Sequence, residues 1–233
     1  MNMAHSFLFS QKFLLGSQYF LYFGVMGMVL PYFNLYCFHI GLSGFQIGVI
    51  SAVRSAVLVL FSIMWSLFAD RFQIRRHIFL YGLLLSTGIW SFYLFTIDFW
   101  LILTITIGYG IFYSPIISFL EAFTMDALGE DKVNYGKIRV WGSISFITVV
   151  VLIGKVIDDY SIEIILALVL ILSGFQVIGS LGIPRISIQR NKSPSFQTIG
   201  MMKMPIVIFL ICAFLMLASH GRIMVFIQSI WKI

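Results

Sequence analysis

The chain reads as long apolar runs separated by short polar breaks, with little of the alternation that would indicate strands. Hydrocarbon about 30 Å thick is crossed at about 1.5 Å per residue, so a spanning helix needs roughly 20 mainly apolar residues. Seven stretches qualify, near residues 13–38, 45–69, 77–97, 99–128, 137–157, 162–183 and 205–228. The first is too long for the core of a signal peptide and has no small-residue cleavage site after it, so it is read as a helix. Short connections run from His39 to Gly44, Asp70 to Arg76, Gly129 to Gly136 and Asp158 to Ser161. The longest runs from Pro184 to Met204; it is polar and basic, and Pro184, Pro194 and Pro205 break any helix. The pattern predicts a six-helix bundle over residues 1–183, a cytoplasmic linker over 184–204, and a seventh helix with an incomplete second bundle over 205–233.

Composition agrees. Of the 233 residues, 60% are hydrophobic, 17% aromatic and only 10% charged, where a soluble domain carries about a quarter charged. A mean hydropathy of +1.01 excludes a water-soluble globule, a disordered chain and a nucleic-acid binder. The fold class is all-α integral membrane. Cys37 and Cys212 lie inside apolar runs, so no disulfide framework or cysteine metal site is expected. His5, His39, His77 and His220 are too scattered for a catalytic cluster at one membrane face. No catalytic residue, metal or cofactor is expected, and the chain is not read as an enzyme.

The net charge of +6 is explained by topology. With the N-terminus inside, the cytoplasmic face holds Lys12, Arg71, Arg75, Arg76, Lys132, Lys137, Arg185, Arg190, Lys192 and Lys203, and the outer face only Lys155. Basic residues gather on the cytoplasmic side of membrane proteins, which orients the chain. The lipid bilayer, and not nucleic acid, is the partner of this charge. Small residues within the spans (Gly24 and Gly27, Gly108 and Gly110, Gly142 with Ser143) predict close helix packing, and Pro31 and Pro115 invite bends.

Three charges sit inside spans: Arg54, Glu121 and Arg139. Such charges are costly in lipid and usually face a cavity or a partner. Residues 121 and 139 are equidistant from residue 130 in a helical hairpin, which sets them at matched depth on antiparallel neighbours. Paired, they offset much of each other's desolvation, either as a structural lock or as part of a site. Arg54 has no obvious acidic neighbour, since neither Asp70 nor Asp98 can readily reach it, and is read as lining a cavity.

The loop Ser66-Leu-Phe-Ala-Asp70-Arg71-Phe-Gln73-Ile-Arg75-Arg76 sets one carboxylate beside three guanidinium groups, a helix clamp. It resembles the loop signature of the major facilitator superfamily, with Ser66 and Gln73 in place of two glycines. Leu120-Glu121-Ala122-Phe123 and Tyr135-Gly136-Lys137-Ile-Arg139-Val-Trp141-Gly142-Ser143 narrow the resemblance to the branch of lactose permease and the phenylpropionate permease. There a Glu and an Arg, eighteen residues apart like Glu121 and Arg139, bind the solute, and an aromatic at the place of Phe146 stacks on it. The resemblance implies two six-helix bundles with the substrate between them, alternating access, and a bacterial inner-membrane location. It implies a proton-coupled symporter for a sugar or an aromatic acid, with small-molecule substrate and protons as partners and a second six-helix half required. The substrate-binding residues would be Glu121, Arg139, Phe146 and Arg54, with Asp70, Arg71, Arg75 and Arg76 as the gating loop. A drug or nucleoside exporter of the same superfamily, or a fragment without transport activity, is the alternative. His220, without a carboxylate partner, is a weak proton carrier.

One further expectation concerns the residues after Gly221, where the family's seventh helix continues with an aromatic run of the Tyr-Tyr-Gly-Phe type. The residues from Arg222 to Ile233 can be encoded so that a shifted frame reads Tyr-Tyr-Gly-Phe-Tyr-Ser, and one deleted base suffices. A real but divergent end is the alternative, and the downstream gene sequence distinguishes them.

Overall fold

The computed structural model describes residues 2–129, 131–183 and Cys212. The linker expected at 184–204, the seventh helix at 205–228, His220 and the frame reading after Gly221 lie outside the described residues. The chain divides into units of residues 1–188 and 189–233, and every helix named below belongs to the first.

Six apolar spans appear where the hydrophobic runs place them. They are α1 (Asn2–His39), α2 (Gly44–Phe72), α3 (Arg75–Trp90) extended by a 3-10 turn (Ser91–Phe95), α4 (Phe99–Tyr113) continued by α5 (Ile116–Leu128), α6 (Tyr135–Asp159) and α7 (Ile164–Ser180). Five are long and apolar enough to cross a bilayer, and α7 is a shorter apolar helix. The helix starts follow local chemistry. Ser43 and Gln46 form a reciprocal capping box at α2, and the Asp98 carboxylate accepts the Leu101 N–H at α4.

Pro31 is carried inside a continuous α1, whereas Pro115 divides the fourth span. Proline has no N–H to offer the carbonyl four residues back. That carbonyl, on Ile111, instead accepts the Trp65 indole N–H at 2.8 Å and the Ser114 hydroxyl at 3.0 Å. The break is thus satisfied from α2, as a membrane interior demands.

α1 is the most buried span and packs on α6 and α7, while α2 and α6 leave most of their surface uncovered. Two of the expected small residues account for the closeness of α1 and α6. A Cβ on Gly27 would stand 3.1 Å from the Phe146 carbonyl oxygen, and one on Gly142 would stand 2.5 Å from the Phe23 ring. Gly110 serves α2 and α4 alike, because Val57 occupies the space of its missing side chain.

The loop after α2 turns without its glycine. Gln73 takes the left-handed conformation (φ 56°), and its N–H donates to the Ala69 carbonyl. Its side-chain amide also donates to the Asp70 carbonyl at 2.7 Å.

Candidate functional site

Glu121 and Arg139 meet across α5 and α6. The Arg139 Nε lies 4.0 Å from Glu121 Oε1, and both side chains remain partly open, at 30% and 45% exposure. That separation is a long, direct ion pair between partly exposed groups. Arg139 is held from its other side by α1: its guanidinium carbon is 4.0 Å from the Phe23 ring centroid and 5.3 Å from that of Tyr19. Gly142, one turn along α6, leaves the space that the Phe23 ring fills beside this guanidinium.

Phe146 is half-buried. Its backbone packs on Gly27, and the rings touching Arg139 are Phe23 and Tyr19. Sequence reasoning passed over these two, although Tyr19, Tyr22 and Phe23 form an i, i+3, i+4 aromatic face on α1.

From the pair, an aromatic ladder runs along the bundle away from the α5–α6 connection. Tyr22 stacks on Tyr113 at 5.3 Å, and Tyr113 stacks on Tyr109 at 4.8 Å. The buried hydroxyls of Tyr109 and Tyr113 lie within reach of one another, and that of Tyr113 also of Tyr22, but neither makes a hydrogen bond of good geometry. Trp90 meets Tyr109 edge to face at 5.1 Å and ties α3 to α7 through its indole N–H on the Leu166 carbonyl.

Arg54 lies at the far end of this ladder, partly buried, within electrostatic reach of Tyr93, Tyr109 and Cys37. Its Nη1 is buried without a hydrogen-bond partner, and none of the ion pairs among the described residues includes it. Arg54 and the Glu121–Arg139 pair are therefore two charge centres at different depths, joined by tyrosines.

The loop charges divide their work. Among the described residues Arg75 is the one that pairs with Asp70, its Nη2 at 2.6 Å and Nε at 2.8 Å from Oδ1. Arg76 donates to the Ile183 and Leu181 carbonyls after α7, at 3.0 and 3.4 Å, and so clamps the third span to the sixth. Arg71 lies over the Phe72 ring. A bridge that the sequence did not suggest joins Lys12 to Asp131 at 2.9 Å, tying the start of α1 to the α5–α6 connection. The hydrogen bond from Lys12, and a second from Asn134, hold the Asp131 carboxyl below its ordinary range.

Comparison with known proteins gives the same fold. The chain is 29% identical over 178 residues to the probable 3-phenylpropionic acid transporter of Escherichia coli K12, covering 73% of this chain and 45% of that protein. It is 26% identical to the maltose permease of Geobacillus stearothermophilus, covering 63% of this chain and 38% of the permease. The chain thus spans less than half the length of these curated relatives. The crystal structure of the nucleoside transporter NupG superposes with a TM-score of 0.72 at 18% identity, over 88% of this chain and 54% of that one. Its D323A mutant superposes with a TM-score of 0.74 at 17% identity, over 81% and 48%. Six apolar spans, a charged loop after the second, and a match over residues 13–231 together make this chain a member of the MFS_1-like family, multi-pass membrane transporters and not enzymes.

Proposed function

We propose that the chain supplies the solute-contacting N-terminal half of a proton-coupled symporter for a sugar or an aromatic acid. The observation that carries this reading is the open pair of Glu121 and Arg139, 4.0 Å apart and backed by the Phe23 and Tyr19 rings. A guanidinium and a carboxylate at that spacing can each turn to a solute hydroxyl or carboxylate and re-pair when it leaves. The named relatives, a probable 3-phenylpropionic acid transporter and a maltose permease, lie in the same two solute classes. Arg54 is assigned to the same pathway and Phe146 to the solute-facing side of α6. Asp70, Arg71, Arg75 and Arg76 form the gating loop. A nucleoside or drug exporter is the rival reading within the superfamily.

The protein that transports includes a second six-helix half, because one bundle offers only one wall of a central cavity. It sits in a bacterial inner membrane with its N-terminus in the cytoplasm. Solute uptake by cells expressing the whole reading frame tests the function. Glu121→Gln and Arg139→Lys are each expected to lower uptake by about tenfold or more, the latter because an ammonium does not replace a guanidinium fork. Wild-type uptake by both variants reduces the pair to a lock. Orientation is read separately: a cysteine at Tyr160 reacts with an impermeant thiol reagent in whole cells, and one at Val133 does not.

A further inference from the structure

Arg54 is a cation within a membrane span that pairs with no acidic side chain among the described residues. All nine acidic residues of the chain lie between positions 70 and 163. Of those described, Asp70 serves Arg75, Asp98 caps α4, Glu121 faces Arg139 and Asp131 holds Lys12. Asp126 is exposed near the cytoplasmic end of α5, while Asp158, Asp159 and Glu163 cluster where α6 ends and α7 begins. No acidic residue follows Glu163. A guanidinium held in a low-dielectric interior persists where something compensates its charge and takes up its donors.

Its surroundings specify what that something is. Arg54 is ten residues into α2 and Tyr109 ten residues into α4, both counted from the outer ends, so they share a depth of roughly 15 Å. Gly110 admits Val57 and brings α2 against α4 at this level. The Tyr109 and Tyr113 hydroxyls are buried and have only one another and Tyr22 within reach, while that of Tyr93 is engaged with Thr106 at 2.8 Å. One turn outward, Ser51 donates to Asn34 at 3.2 Å. The set therefore offers one guanidinium with a free donor, a group of buried tyrosine hydroxyls joined only to one another, and stacked aromatic faces. A sugar would use the hydroxyls but leave the charge unmet. A carboxylate meets the charge, and a ring attached to it extends the tyrosine stack.

We infer that Arg54, with Tyr109, forms a carboxylate subsite, and that the Tyr109–Tyr113–Tyr22 stack receives the ring of an aromatic monocarboxylate. This rests on the transporter reading above and narrows its two solute classes to one. The Glu121–Arg139 pair is already neutral and takes no part in fixing the anion at this subsite. A carboxylate could instead come from an acidic side chain of the second half, and the experiment separates the two sources.

The test uses the protein from the whole reading frame, purified in detergent, with tryptophan fluorescence as readout. The probes are 3-phenylpropionate, its neutral amide and maltose. The acid is expected to bind about tenfold or more tighter than the amide, and that preference to vanish in Arg54→Gln and persist in part in Arg54→Lys. Tyr109→Phe, which removes only a hydroxyl, is expected to weaken the acid severalfold and the amide less. An acid-to-amide ratio in Arg54→Gln equal to wild type overturns the subsite and assigns the counter-charge to a side chain. Saturable binding of maltose with no acid binding also overturns it while leaving the transporter reading intact. Binding of none of the three probes, together with no uptake of any of them in cells, overturns both.

Discussion

Arg139 and Phe23 stand guanidinium over ring, 4.0 Å apart, on helices that meet because Gly142 has no side chain. The Phe23 ring thus packs on the same guanidinium whose Nε faces Glu121. A cation over a ring contributes about 0.5–1 kcal/mol where partly exposed. Phe23→Leu is expected to weaken solute binding two- to fivefold, measured by equilibrium titration of the transported solute. An unchanged affinity would show that Arg139 is oriented by something else.

Gly142→Ala tests the same contact from beneath. Alanine favours helix over glycine by up to about 1 kcal/mol, so the helix itself is not at risk. The added Cβ would lie 2.5 Å from the Phe23 ring and 3.1 Å from Arg139 Nη1, and one of them must move. Uptake is expected to fall by about tenfold at unchanged expression, and adding Phe23→Leu to restore part of it, since the two sites are directly coupled. Failure of the second substitution to rescue would place the damage elsewhere.

Gln73 occupies a left-handed position that glycine adopts at no steric cost. Gln73→Gly is expected to raise the thermal stability of the detergent-solubilised protein by about 1 kcal/mol, less what is lost with the side-chain bond to the Asp70 carbonyl. Gln73→Val is expected to lower it.

The Asp131 carboxyl titrates below the ordinary aspartate value of about 3.9, because the bonds from Lys12 and Asn134 favour its charged form. The sign follows: the bridge is fully formed above the unfolded-state pKa and is lost as pH falls through the depressed folded one. Selective ¹³C NMR of the Asp131 carboxyl is expected to give a midpoint that moves upward in Lys12→Met. An unmoved midpoint would mean that Lys12 does not hold it.

The spans were legible because lipid forces about twenty apolar residues into each crossing, and the sequence has few other patterns to confuse with this one. The matched depth of Glu121 and Arg139 was legible too, since a hairpin makes sequence distance from its turn equal to depth. What was not legible is which elements surround a charge from elsewhere in the chain. Phe23 and Tyr19 lie more than a hundred residues from Arg139, and apolar aromatics look alike whether they face lipid or a guanidinium. The division of the arginines after α2 was equally hidden. Spacing sets three cations beside Asp70, but only the path of α7 decides that Arg76 serves its carbonyls instead.

The interrupted fourth span has a mechanical consequence. Tyr109 and Tyr113 ride on α4 and Glu121 on α5, with Pro115 as the joint between them. Trp65 grips the joint from α2, holding the Ile111 carbonyl that an unbroken helix would use to stiffen itself. A tilt of α5 at this joint would carry Glu121 with it and leave the tyrosines on α4 in place. Glu121 can thus be turned relative to the tyrosine stack by a rotation at one residue, without unwinding either helix.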